Sequence, residues 1–377
     1  KSFGKKKWLS FGGWINAVIP VLIVPYYSVI GGWVIKYLVE YFRGNAKQLA
    51  EDGYFTDFIS NGVSTELCFM AFCAFTLIII FAGVQNGIER VSKIMMPILI
   101  VLSVIIAVYS VTRPGALAGV KYFLVPNVKN FSWMTVVSAM GQMFYSLSIA
   151  MGILITFGSY MKKDTAIEDS TRNVEVFDTG IAIMAGLMII PAVFAFSGGD
   201  PDTLQAGPSL MFITIPKVFQ NMGFGTVIGI VFFLLVLFAA VTSSIALTES
   251  AVSTFEDELG WGRKKATVLV GVIMLALGSL SSLGYGPLAG IKIIGMQFLD
   301  LFDFLTNSVM MPIAALLTSL LVSRVVGIDK IEEEIIHGES AFRRKKVFVV
   351  MIKYLCPVFA IIILLSSVAN ALGWIKM

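Results

Sequence analysis

The stretch GQMFYSLSIAMG, Gly141 to Gly152, decides how the rest of the chain is read. It sits inside an apolar run from Phe131 to Tyr160, yet it places Gln142, Ser146, Ser148 and two glycines in the middle of what looks like a membrane crossing. A helix that only has to cross lipid fills such positions with Leu and Val, because polar groups in hydrocarbon need partners. Two uses account for the small and polar residues. They can form a packing face against a neighbouring helix, or they can mark a helix that unwinds and frees backbone groups for a ligand.

Composition supports the membrane setting. Of 377 residues, 57% are hydrophobic and only 14% charged, with mean hydropathy +0.86; soluble domains carry about a quarter charged residues. The net charge of +4 comes from bases clustered in short loops, which speaks against a nucleic-acid partner and for a lipid bilayer. Three cysteines in or beside apolar runs imply no disulfide framework, and a single histidine, His337, excludes a multi-histidine metal site. The basic start KSFGKKKW runs into a long apolar segment without a cleavage site of the A-x-A kind.

Runs of about 20 apolar residues are long enough to span. They fall at 8–41, 66–83, 94–112, 133–160, 177–197, 225–254, 266–284, 297–322 and 347–372, nine in all, which predicts an all-α polytopic membrane protein. Between the fifth and sixth, GGDPDTLQAGPSLMFITIPKVFQNMG is too polar to span and predicts an external cap with a short amphipathic helix. Alternate loops hold 18 and 8 Lys and Arg residues when the N-terminus is placed inside. The positive-inside rule therefore predicts a cytoplasmic N-terminus, an external C-terminus and insertion in the cell membrane.

Polar residues within spans are expensive and mark sites or mutual partners. Thr242, Ser243 and Ser244 lie in a row in FAAVTSSIALTES; they can bond back to the preceding turn, or join the Ala239 carbonyl as ligands for a sodium ion. Asp178 opens DTGIAIMAGLMIIPAVF and reads as an N-cap, unless TRNVEVF extends the helix inward and leaves the carboxylate deep. Asp300 and Asp303 share one face of a helix start, as solvated acids or as a gate awaiting a cation.

The segments VPYYSVIGGW, GVQNGIERVSKIMMPIL, GQMFYSLSIAMGILITFGSY and FFLLVLFAAVTSSIALTESAVSTFEDELG, in this order, resemble the sodium:neurotransmitter symporter family in its prokaryotic branch. The resemblance covers nearly the whole chain. It implies an inverted repeat of five helices against five, with the first helix of each repeat broken, and here a broken helix at 133–160. The span 8–41 resembles the third family helix, 133–160 the sixth and 347–372 the eleventh. The resemblance divides one transporter domain into 1–132 (rest of the first repeat), 133–325 (second repeat) and 326–377 (cytoplasmic loop and final helix). Counterparts of the first two family helices are not found, so the expectation is a gene start further upstream, with a separate chain or a non-transporting remnant as the other options.

Carried over residue by residue, the resemblance makes Ile23, Tyr27, Ser148, Met151, Ser244 and Leu247 the substrate wall, with Tyr145 as the aromatic lid. Ser146 becomes a sodium ligand that also touches substrate. Asp178, Ala239, Thr242 and Ser243 become further sodium ligands. Asp178 stands where many members have Asn, and it implies a fixed charge in place of chloride, with Gln142 at the anion-site position. Asp303 resembles the outer gate acid, and Asp257 and Tyr160 the inner gate, each partnered in the family by an arginine on the first helix. The implied function is sodium-coupled symport of a small, apolar or aromatic amino acid, with Na⁺ as coupling ion and no organic cofactor. A proton-coupled permease of the same architecture, or an intramembrane aspartyl protease using Asp178 with Asp300 or Asp303, are the competing classes.

Overall fold

A computed structural model describes residues 7–371 apart from 201–203, 205–206 and 340. The basic residues before Lys7, part of the polar start of the external cap and the end of the last span lie outside the described residues.

Helix α1, Lys7–Phe42, runs 36 residues with Pro20 and Pro25 inside it. At 1.5 Å per residue it is about 54 Å long, more than a bilayer's thickness. It is followed by α2 (Gly62–Phe81), then α3 (Arg90–Val111), which a π-helical turn at Val84–Glu89 leads into. The segment predicted as the fourth span is two helices, α4 (Trp133–Ser146) and α5 (Ile153–Ser159). Then come α6 (Ile167–Ser197), α7 (Gly225–Leu259), α8 (Arg263–Leu283), α9 (Phe298–Val326), the loop helix α10 (Ile328–Gly338) and α11 (Lys345–Asn370). Among the described residues eight helices are therefore long and apolar enough to cross a membrane, against nine runs in the sequence. The difference is the broken segment, whose halves are each too short. The external cap holds the expected short helix, at Leu210–Gln220.

Helices α1 and α7 form the centre and pack along their lengths, with α2 and α8 on one flank and α3 and α6 on another. Lipid tails are as apolar as Leu, so packing depends on close approach rather than on escape from water. Small residues make that approach possible. A Cβ on Gly32 would lie 2.7 Å from the Phe69 amide nitrogen, and one on Gly229 would strike the Tyr41 ring at 2.1 Å. Tyr37 stacks on Phe233 at 5.2 Å and donates its hydroxyl to the Phe212 carbonyl at 2.7 Å, which seats the cap helix on the bundle.

Candidate functional site

The break between α4 and α5 is the starting point. Helix α4 begins at a capping box, Ser132 with Thr135, and ends at Ser146. Beyond it Ser148 (φ 54°), Ala150 (φ 61°) and Gly152 (φ 76°) adopt left-handed backbone. That conformation costs a non-glycine residue on the order of 1 kcal/mol, so two such residues in one turn are held there by their surroundings. Gly152 has a further reason. A Cβ at this position would lie 2.9 Å from the Asn16 carbonyl oxygen and 3.0 Å from Ser250 Oγ. Among the described residues the amides of Ala150, Met151 and Gly152 make no backbone hydrogen bond. Backbone groups at membrane depth need partners, and Ser148 and Met151 of this turn border a space that a ligand can fill.

That space is a cavity of about 520 Å³ whose wall includes Ile23, Gln142, Tyr145, Ser146, Ser148, Met151, Thr242, Ser243 and Leu247. The structure therefore brings together, from α1, the broken helix and α7, most of the residues singled out in the sequence. Ser92 and Met96 of α3 complete one side.

Asp178 also arrives there. It is not an N-cap: the cap of α6 is Ala166, and Asp178 lies 11 residues beyond Ile167, about 16 Å along the axis. Ser146 Oγ donates to its carboxylate at 2.6 Å. In giving its proton to Asp178, the Ser146 hydroxyl keeps its lone pairs free to face a cation. Thr242 Oγ1 likewise donates to the carbonyls of Phe238 and Ala239, both at 3.0 Å, and leaves its own oxygen available. The donor set is thus a carboxylate and hydroxyls. Such hard oxygens suit an alkali cation rather than a soft metal.

Ser244, Ala239 and Tyr27 are not on the cavity wall. Ser244 is fully buried and meets Thr76 Oγ1 at 3.2 Å, facing α2 instead of the cavity. Successive helical residues point about 100° apart, so three hydroxyls in a row cannot share one face. Ala239 is present through its carbonyl alone, by way of Thr242. Tyr27 and Tyr145 pack against the same buried core.

Asp303 lies above a second cavity of about 350 Å³, shared with Gln142, Tyr145 and Asn307. Tyr145 and Gln142 thus border both spaces and separate them. Asn307 Nδ2 donates to Asp303 at 2.6 Å and also reaches the Tyr26 hydroxyl at 3.3 Å. Asp300 accepts from Tyr285 at 3.0 Å, outside this network.

At the other end stand the two residues expected at the inner gate, Asp257 and Tyr160. Asp257 is exposed near the end of α7. Tyr160 instead donates to Glu249 at 2.8 Å, and Arg263 grips both Glu249 oxygens at 3.0 and 2.5 Å. Glu249 is completely buried, and Arg263 also reaches the Ile80 carbonyl. Sequence reasoning missed both partners. A carboxylate inside a span was the available signal for Glu249, but Arg263 reads as one more base of an inner loop.

A helical bundle with a centrally broken helix, opposed hydroxyls and an intramembrane carboxylate defines a multi-pass membrane transporter. The chain belongs to the sodium:neurotransmitter symporter family, whose model matches residues 39–374; this is a family of sodium-dependent transporters, not of enzymes. It is 34% identical over 360 residues to the sodium-dependent transporter YhdH of Bacillus subtilis, covering 94% of this chain and 79% of that one. A sodium-dependent transporter of Haemophilus influenzae is 30% identical, with 97% and 81% covered. Among solved structures, MhsT in complex with L-phenylalanine matches with a TM-score of 0.83 at 33% identity, over 96% of this chain and 82% of that chain.

Proposed function

We propose that this transporter moves a small apolar or aromatic amino acid together with sodium, and that it does so without chloride. The observation that carries the reading is the Ser146–Asp178 hydrogen bond at the helix break, opposite Thr242 and Ser243 on the same cavity. Sodium sits between these oxygens, and Asp178 offsets its charge where an isolated ion would be costly to desolvate. Because Asp178 is itself the fixed negative charge, no anion is needed beside Gln142. Ile23, Met151 and Leu247 give the cavity an apolar lining suited to the substrate side chain, with Tyr27 and Tyr145 close by. The match to a structure holding L-phenylalanine supports an aromatic substrate.

In the same reading Tyr145 closes over the substrate and Asp303 guards the outer side, while Tyr160 and Asp257 belong to the inner side. The tetrad and scaffold halves of the fold then rock against each other to expose the other face. The excess of bases in the loops on the N-terminal side, 18 against 8, supports a cytoplasmic N-terminus.

The test is equilibrium binding of labelled L-phenylalanine by purified protein in sodium or choline salts, with and without chloride. The wild type is expected to bind in sodium alone. Asp178→Asn is expected to bind only when chloride is added, or not at all. Chloride-free binding that survives this substitution would count against the assignment.

A further inference from the structure

The helix that carries Asp178 is tethered at its inner end by a set of contacts that the transport reading does not use. We propose that Glu168 and Glu339 are positioning residues for the sodium site, clamping the first turn of α6 to the loop before α11. In this way they set the register in which Asp178 meets Ser146. The proposal rests on the reading of Asp178 given above.

The clamp is reciprocal. Glu339 Oε1 accepts from the Glu168 amide at 2.6 Å and from the Asp169 amide at 3.3 Å. Glu168 in turn accepts from the Arg343 amide at 2.8 Å and the Arg344 amide at 2.9 Å. The Arg344 guanidinium donates to Glu175, two turns into α6, at 2.8 Å. The first amides of a helix have no partners within it, and the N-cap of α6, Ala166, has no side chain that can serve. The missing cap is therefore supplied from about 170 residues away, by a carboxylate placed at the positive end of the helix dipole. Gly338 lets the two backbones meet, since a Cβ there would be 2.5 Å from the Thr165 carbonyl oxygen.

The consequence for the site is mechanical. Helix α6 is continuous from Ile167 to Ser197, and Asp178 lies less than three turns beyond Glu168. A slide or rotation of the first turn is carried along an unbroken helix to Asp178. An O–H···O bond tolerates only a few tenths of an ångström around its preferred length, so a small slip breaks the 2.6 Å contact with Ser146. The neighbouring Lys345–Glu332 pair joins α10 to the start of α11 without touching α6, and so provides an internal control.

Sodium titrations of thermal unfolding of the purified full chain, with choline holding ionic strength constant, read the site without needing a substrate. Ligands that bind the folded state raise the melting temperature by mass action. Glu168→Gln and Glu339→Gln are expected to raise the sodium concentration for half-maximal stabilisation at least fivefold, as Asp178→Asn does, whereas Lys345→Gln leaves it within twofold. Where either glutamine variant is too unstable to titrate, Arg344→Lys is expected to shift the midpoint in the same direction by a smaller factor. A shift with Asp178→Asn but none with the Glu168/Glu339 double variant overturns the clamp. An equal shift with Lys345→Gln overturns it too, because the effect is then general loosening of the loop. No shift with Asp178→Asn overturns the sodium reading on which the clamp rests.

Discussion

Thr242, Ser243 and Ser244 show how much one residue's phase on a helix decides. All three hydroxyls are adjacent in sequence, yet Thr242 and Ser243 face the cavity while Ser244 is buried against Thr76. Thr242→Val keeps the side chain's shape and removes its oxygen. In the proposed site it should weaken apparent sodium affinity about tenfold, equivalent to ~1.4 kcal/mol, with helical circular dichroism unchanged. Ser244→Ala should leave sodium and substrate affinity within twofold. It removes one buried hydrogen bond, so its cost of about 1 kcal/mol should appear in thermal stability instead.

The broken helix is the element on which the site depends, and its two bounding glycines serve different ends. Gly152 combines a left-handed backbone with near contact to the Asn16 carbonyl, whereas a Cβ on Gly141 would meet nothing within 4 Å. Gly152→Ala must therefore move either the start of α5 or α1, and sodium-dependent binding should fall below detection. Gly141→Ala lies inside α4 and should be tolerated, and it should stabilise that helix by up to about 1 kcal/mol. Binding assays on the two variants at matched expression separate them. Equal loss of binding in both would mean that the opening segment acts through small-residue packing rather than through its unwound turn.

For the whole molecule, the Tyr160–Glu249–Arg263 cluster joins α5, α7 and α8 and reaches the end of α2 through the Ile80 carbonyl. Glu249 is fully buried while the Arg263 side chain keeps 23% of its surface exposed. Removing one partner of a buried pair leaves the other charge unpaired, at about 3–5 kcal/mol. The loss should be larger when the buried acid is the one stranded. Arg263→Gln is therefore expected to lower the melting temperature more than Glu249→Gln, and the double variant should recover part of the loss. Thermal unfolding of the three variants in one detergent checks the order, and a larger loss for Glu249→Gln would contradict it.

The spans, the place where one of them breaks, and the hydroxyls and carboxylate that gather at the break are legible in the amino-acid sequence. Each rests on a local property: hydropathy over a bilayer's length, glycine and serine where a plain span has none, and a charge inside an apolar run. Only the tertiary structure decided that Asp178 lies three turns inside α6 against Ser146, that Ser244 turns to Thr76, and that Tyr160 donates to Glu249. These are pairings between residues 32, 168 and 89 positions apart. Hydropathy shows which segments enter the membrane; the rotation of each helix about its axis, which selects its partners, is set by side-chain packing across the bundle.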